Sequence, residues 1–343
     1  MNNKIAILGT GAWGTALSCC LSNNGYEVEM WGINPSEIKD LNSGYNRKFF
    51  GNKKLFAKVK ANIDLQEVIE NAKYILLAIP STFIIEVLDK VKPFMNNKNK
   101  YIIINVAKGL DPITNNVWSK SIYKNLKKYN IDLATLIGPS FAIDVFEKKP
   151  TVVNVVSKKL DVAKDVAQLF NSDFFKAVPC KDEIGSQILA SLKNLLAIAI
   201  GISEENHNSI NTISALLTQG VNEMQLIAKH MGAKDKTILQ FCGIGDIFLT
   251  CTSNKSRNFT FGKQIFKNGL DKVLKENKAT VEGYKVYPIV KKIINQKKLD
   301  VPVFKLIIKV LDKKLEPSKF VDTALDDLMW TEINNPKDSQ KNK

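Results

Sequence analysis

A lysine and an asparagine stand inside an apolar run, Ala190-Ser191-Leu192-Lys193-Asn194-Leu195-Leu196-Ala197-Ile198, whose composition demands burial. Burying an unpaired ammonium costs several kcal/mol, so Lys193 must be partnered, neutral or facing a water-filled cleft. A lysine desolvated in this way, or set beside a second cation such as Lys108, has a lowered pKa and exchanges a proton near neutral pH. The plain alternative is a helix-boundary lysine with its head in water. Asp246 follows Gly243-Ile244-Gly245 and precedes an apolar run, which reads as a buried carboxylate at a helix start. It would orient Lys193 or cap its own helix. Ser256-Arg257-Asn258 offers a forked guanidinium, an amide and helix N-terminal N–H groups, a setting that suits phosphate, although such a tripeptide also occurs in ordinary loops.

The amino terminus carries a different chemistry. Ile5-Ala6-Ile7-Leu8 is apolar without alternation and reads as a strand buried on both faces. Gly9, Gly11 and Gly14 then fill a G-x-G-x-x-G pattern running into a helix from Thr15 to Leu21, with a second strand at Glu27 to Trp31. Gly9 would make the tight turn, Gly11 would let a pyrophosphate approach the backbone, and Gly14 would let helix and strand pack closely. The second strand ends in Trp31-Gly32-Ile33-Asn34, with neither an acid for ribose hydroxyls nor an arginine for a 2'-phosphate, so the choice between NAD(H) and NADP(H) stays open.

The elements that must hold these residues alternate over the first half. Helices are expected at Pro35 to Leu41, at a segment closing over Val68 to Ala72, from an N-cap at Ser81 to Val91, and at Leu160 to Phe170. Strands are expected at Tyr74 to Ile79, Tyr101 to Val106, Leu133 to Ile137, Thr151 to Val156 and Phe174 to Pro179, with Asn42 to Phe56 as a loop over the cofactor edge. Lys108, in Ala107-Lys108-Gly109-Leu110, follows a strand at the crevice where parallel sheets bind ligands; a solvated loop lysine fits as well. From Lys181 the apolar spacing turns helical: Ile184 to Ile202, Ile210 to Met231, Asp235 to Phe241, Phe261 to Lys267, Leu270 to Lys275, Gly283 to Asn295 and Pro302 to Leu311. The fold expected is α/β, an N-terminal doubly wound Rossmann-type sheet followed by an all-α C-terminal domain. The boundaries are 1–180 for the dinucleotide domain, 181–335 for the helical substrate domain and 336–343 for a charged, disordered tail, the two domains sharing one helix and a cleft.

At 343 residues two domains are expected, since single cores rarely grow beyond about 250 residues. A net charge of +15 would suit nucleic acid or an anionic membrane, but the lysines are scattered and carry no nucleic-acid signature. A solvated basic surface that draws in anionic ligands is the reading. Five cysteines without C-x-x-C spacing suggest neither a disulfide framework nor a zinc site, and His207 and His230 lack ligand spacing, so no metal is expected. The first strand follows Met1 to Lys4 directly, leaving no room for a signal peptide, and the later apolar run Leu195 to Ile202 is far shorter than the roughly twenty residues a bilayer requires. A soluble, cytoplasmic protein is the expectation.

Seven motifs in order, Gly9-Thr-Gly-Ala-Trp-Gly14, Ala107-Lys-Gly-Leu110, Gly138-Pro-Ser-Phe-Ala142, Leu192-Lys-Asn194, Gly243-Ile-Gly-Asp246 with Leu249-Thr-Cys-Thr252, Ser256-Arg-Asn258 and Val281-Glu-Gly-Tyr284, closely resemble bacterial NAD(P)-dependent glycerol-3-phosphate dehydrogenase. The resemblance runs from residue 4 to about residue 330. It implies reduction of dihydroxyacetone phosphate to sn-glycerol 3-phosphate and the reverse, supplying the backbone for phospholipid synthesis, with Lys193 as proton donor and acceptor. It implies substrate contacts at Lys108, Gly138, Ser140, Lys193, Asp246, Ser256, Arg257 and Asn258. It implies cofactor contacts at Gly11, Ala12, Trp13, Lys108, Ala142, Arg257, Thr280 and Glu282, beside Gly9 and Gly14 of the turn. Ile33 departs from the arginine or histidine that relatives often carry near the adenosine ribose, and Ile213 from their arginine. A homodimer is compatible with size and apolar content, with no nucleic acid and no stable membrane insertion expected. A hydroxyacid dehydrogenase reading a carboxylate, and a non-catalytic dinucleotide sensor, are the competing readings.

Overall fold

The computed structural model describes residues 4–277 and 280–331; the expected tail at 336–343 lies outside them. Eight strands form one sheet: β1 (Lys4–Leu8), β2 (Glu27–Trp31), β3 (Lys60–Asn62), β4 (Tyr74–Leu77), β5 (Tyr101–Asn105), β6 (Ile131–Ile137), β7 (Thr151–Val156) and β8 (Phe175–Cys180). Their order is β3-β2-β1-β4-β5-β6-β7-β8. All pairings are parallel except β6 with β7, which is antiparallel. Residues of β1, β4 and β5 are buried on both faces, which is why their sequences run apolar without alternation.

Around the sheet lie α1 (Ala12–Asn23), α2 (Pro35–Asn42), α3 (Arg47–Phe50), α4 (Leu65–Ile69), α5 (Ile84–Val91), α6 (Trp118–Asn125), α7 (Ala142–Phe146) and α8 (Leu160–Phe170). Three details depart from expectation. The stretch 42–56 is not loop throughout: it contains α3 and a bridge from Tyr45 to Lys54. Ser81 does not cap α5; it opens a 3-10 turn, Ser81–Phe83, and α5 begins at Ile84 without a side-chain cap. Pro80 accounts for this, because it holds the chain extended at that point and the tight turn absorbs the change of direction. The helix expected to close over Val68 to Ala72 stops at Ile69, where Glu70 is extended and Asn71 has φ of 61°.

The rest is helical: α9 (Glu183–His207), α10 (Ile210–His230), α11 (Asp246–Cys251), α12 (Arg257–Asn268), α13 (Leu270–Glu276), α14 (Glu282–Lys297), α15 (Pro302–Leu311) and α16 (Phe320–Thr331). The chain packs as two compact units. One comprises residues up to Ala190 together with Gly232–Asp246; the other comprises Ser191–Met231 and the chain from Ile247 onward. Segment 232–246 joins the first unit because Asp182, just ahead of α9, gathers it. Its carboxylate accepts from the Lys234 amide at 2.8 Å, the Thr237 hydroxyl at 2.5 Å and the Gly185 amide at 3.0 Å. Within the second unit α9 and α12 cross at glycine: a Cβ on Gly201 would stand 2.1 Å from Phe259 O, and one on Gly262 2.1 Å from Ile198 O. Among the described residues α9 is long and apolar enough to cross a membrane, more than the eight-residue run expected, but 94% of its apolar window is buried inside the protein.

Candidate active site

The expected site residues divide between the two units, and each set is built within its own. In the first unit the glycine turn leaves β1 directly. Gly9 has φ of +120°, and a Cβ there would lie 2.4 Å from Ala78 O, so only glycine fits. A Cβ on Gly14 would stand 2.7 Å from Gly9 O, which is the close helix-to-turn packing the pattern demands. Gly11 is different. No atom lies within 4 Å of where its Cβ would be, and α1 starts there with no side-chain cap. An open approach over first-turn amides fits a dinucleotide pyrophosphate. Ala12 and Trp13 form that turn and pack, partly buried, on the sheet core, as does Ala142 at the start of α7, which lies against α1.

The turn is braced by a residue that sequence reasoning missed. Asn46, 2% exposed, donates from Nδ2 to Thr10 O at 3.0 Å and to Thr15 Oγ1 at 2.8 Å. Its partners lie more than thirty residues away in sequence, so no local signal marked it.

Lys108 follows β5. The Asn105 side chain brackets Ala107, donating to its carbonyl and accepting from its N–H, both at 3.1 Å. Gly109 then turns the chain with φ of +109°. Farther along, Asp111 accepts from the Ser121 and Thr114 hydroxyls and the Ile113 amide. Against burial, these bonds hold its carboxyl below the usual range. Lys108 Nζ lies 3.7 Å from Asp246 Oδ2, and the Asp246 side chain is 1% exposed. Asp246 opens α11 after an irregular turn, Phe241–Gly245, broken at Gly243, where a Cβ would meet Ile238 O at 2.1 Å. The Asp246 carboxylate, at the start of α11 as expected, thus counts Lys108 among its ion-pair partners. Gly138 lies against β7 so closely that a Cβ would come within 2.8 Å of Val153 Cα, and Ser140 Oγ donates to Gly138 O at 3.1 Å.

In the second unit Lys193 is 2% exposed on α9, and its Nζ donates to Thr250 Oγ1 at 2.6 Å. A chain of amide bonds starts at its neighbour. Asn194 Nδ2 donates to Glu282 Oε2 at 3.2 Å, Asn258 Nδ2 donates to Asn194 Oδ1 at 3.1 Å, and the Gly283 amide donates to Asn258 Oδ1 at 2.8 Å. A Cβ on Gly283 would stand 2.4 Å from Asn194 O, so α14 starts in backbone contact with α9. The structure thus joins Lys193, Asn194, Thr250, Asn258 and Glu282, residues spread over ninety positions of sequence. Thr250 and Asn194 lay in recognised motifs without an assigned role. Ser256 Oγ accepts from the Phe259 amide at 3.3 Å as the N-cap of α12, while Arg257 begins that helix with an exposed side chain. Thr280 is exposed. Among the described residues no group of three or more His, Cys, Asp or Glu could hold a metal ion.

Sheet, glycine turn and open helix start define a Rossmann-type dinucleotide-binding protein with a helical second half. Family models described as the N-terminus and C-terminus of NAD-dependent glycerol-3-phosphate dehydrogenase match residues 4–163 and 182–322. A glycerol-3-phosphate dehydrogenase (NAD(P)+) of Malacoplasma penetrans is 51% identical over 334 residues, covering 97% of this chain and 98% of that one. One from Mesoplasma florum is 34% identical over 329 residues, covering 95% and 98%. A crystal structure of glycerol-3-phosphate dehydrogenase from Coxiella burnetii shares 29% identity with a TM-score of 0.85, covering 94% of this chain and 99% of that one. The chain belongs to the NAD-dependent glycerol-3-phosphate dehydrogenase family and is a nicotinamide-nucleotide-dependent oxidoreductase.

Proposed function

We propose that this protein interconverts dihydroxyacetone phosphate and sn-glycerol 3-phosphate with NAD(H) or NADP(H), Lys193 serving as proton donor and acceptor and the product feeding phospholipid synthesis. The observation that carries the reading is an almost fully buried lysine on an apolar helix whose Nζ donates to Thr250 Oγ1 at 2.6 Å. The reduced nicotinamide, when bound, supplies hydride to the substrate carbonyl carbon. Lys193 gives its proton to the carbonyl oxygen as negative charge develops there, and takes it back in the reverse direction. Thr250 fixes the rotamer of the long side chain, which lowers the entropy lost in aligning the proton.

Residues 1–180 are assigned to the nucleotide, with Gly9, Gly11, Ala12, Trp13, Gly14 and Ala142 around the pyrophosphate turn. Residues 181–335 are assigned to the substrate. Asn258 and Arg257 at the start of α12 hold the substrate phosphate, where helix N–H groups and a guanidinium favour a dianion. Lys108 stabilises developing oxyanion charge, and its pairing with Asp246 keeps its ammonium in place. Gly138 and Ser140 contact substrate; Thr280 and Glu282 complete the nucleotide contacts, the Glu282 carboxylate being oriented by the bond it accepts from Asn194.

Initial rates with dihydroxyacetone phosphate and each reduced nucleotide, read as loss of nicotinamide absorbance, test the reading. Turnover of the phosphate substrate, with none of a 2-keto carboxylate, is the expected result. Nucleotide binding without turnover of either would overturn it.

A further inference from the structure

The tip of β2 carries no acid and no guanidinium, and the Ile33 side chain there is 78% exposed. A carboxylate reaches the same place from the first turn of α2. Glu37 Oε2 accepts from Thr10 Oγ1 at 2.6 Å, and Thr10 is the second residue of the glycine turn. Thr10 also lies against the strand tip: a Cβ on Gly32 would stand 2.5 Å from Thr10 Cγ2. The Gly9 amide donates to Trp31 O at 2.8 Å. Glycine turn, end of β2 and the Glu37 carboxylate are therefore one bonded assembly, at the edge of the crevice where an adenosine ribose lies in sheets of this kind.

The charge around it favours the same ligand. Lys48 Nζ donates to Glu37 Oε1 at 2.6 Å and Arg47 is paired with Asp40, so two of the three cations lining the depression beside Glu37, Lys48 and Arg47 but not Lys39, are each engaged by a carboxylate. Burial pushes the Glu37 carboxyl upward, but the bonds from Lys48 and Thr10 outweigh it and keep the group below its ordinary range, ionised at neutral pH. A depression of about 460 Å³ opens beside it, lined in part by Asn34, Ser36 and Lys39.

We propose that Glu37, displaced from the strand tip to the first turn of α2, accepts the adenosine ribose hydroxyls and makes this enzyme select NADH over NADPH. The proposal rests on the dinucleotide reading of the glycine turn. An ionised carboxylate accepts from both ribose hydroxyls, whereas a 2'-phosphate brings no donor and adds like-charge repulsion.

Equilibrium titrations with NADH and with NADPH, followed by quenching of tryptophan fluorescence with Trp13 as the nearby reporter, test this without any turnover. The wild-type protein is expected to bind NADH about tenfold or more tighter than NADPH, the worth of one hydrogen bond to a charged group. Glu37→Gln, checked for folding by circular dichroism, is expected to narrow that ratio by about tenfold, while Lys48→Ala leaves NADH preferred. Equal affinities in the wild type, or an unchanged ratio in both Glu37→Gln and Glu37→Ala, would overturn the role of Glu37 alone. A wild-type protein that bound neither nucleotide would overturn the dinucleotide reading itself, a separate outcome.

Discussion

Lys193 is placed by two opposed requirements. Its stem belongs to an apolar helix, and its ammonium must find a polar partner there, which Thr250 supplies across 57 positions of sequence. Replacing Lys193 with Ala is expected to cut turnover by about two to four orders of magnitude, the usual contribution of a positioned acid, with nucleotide affinity retained. Steady-state rates set beside a fluorescence titration check this, and turnover within a few-fold of wild type would remove Lys193 from the mechanism. Arg257→Ala is expected to raise KM for the phosphate substrate by roughly tenfold to a hundredfold with less effect on kcat, since a charged hydrogen bond is worth about 1.5–3 kcal/mol. An unchanged KM would remove Arg257 from the phosphate site.

The glycines separate into two kinds, and substitution should tell them apart. Gly201 and Gly262 hold α9 and α12 in backbone contact, so Gly201→Ala or Gly262→Ala forces the helices apart at a cost of roughly 1–3 kcal/mol, measurable in urea. Because α9 carries Lys193 and α12 starts with Arg257 and Asn258, activity should fall along with stability. Gly11 has open space where a Cβ would go and a φ of −69°, so Gly11→Ala should fold with a loss of about 1 kcal/mol or less. Nucleotide affinity should nonetheless drop sharply, because the added methyl occupies the approach to the α1 amides. Unaltered NADH binding in a folded Gly11→Ala protein would argue against a pyrophosphate there.

Across the chain, buried carboxylates set how stability follows pH. Glu223 accepts from the Val303 and Phe304 amides at 3.0 and 2.9 Å, capping α15 from within the core. Burial pushes its carboxyl from the ordinary 4.5 up to about 7, against the pull of those amides. Burial likewise lifts Glu183, in the first turn of α9, to about 7, with the Lys158 ammonium 3.8 Å away pulling the other way. Both groups take up protons on folding, so the stability they contribute is complete below about 4.5 and is lost as pH rises through 7. Each is worth on the order of 3 kcal/mol over that window. Glu29, 3% exposed, works in the opposite sense: burial raises it, but the bonds from Lys60 and Lys4 prevail and hold it low, so its contribution is lost as pH falls through the acid range. Stability should therefore peak near pH 4.5 and decline from there to about pH 7. Thermal midpoints measured from pH 3 to 8 should fall on both sides of that peak, and Glu223→Gln should flatten the decline between pH 4.5 and 7; a midpoint that rises from pH 5 to 7 would contradict the assignment.

Runs such as Tyr74 to Leu77 and Tyr101 to Asn105 announced a doubly wound sheet, because strands covered on both faces leave no polar side to disguise them. The glycine turn was legible for a related reason: backbone approach closer than a Cβ allows admits one residue type, and that requirement is written in the chain itself. Lys193 stood out because charge inside an apolar helix is rare. What the chain could not announce is pairing at a distance. Asn46 behind the turn, Thr250 on Lys193, the Asn258–Asn194–Glu282 relay and Glu37 on Thr10 are polar residues of ordinary type in ordinary local settings. Their roles come from partners brought together by packing, since hydrogen bonds need two atoms within about 3 Å and sequence spacing specifies such distances only within a single helix or strand.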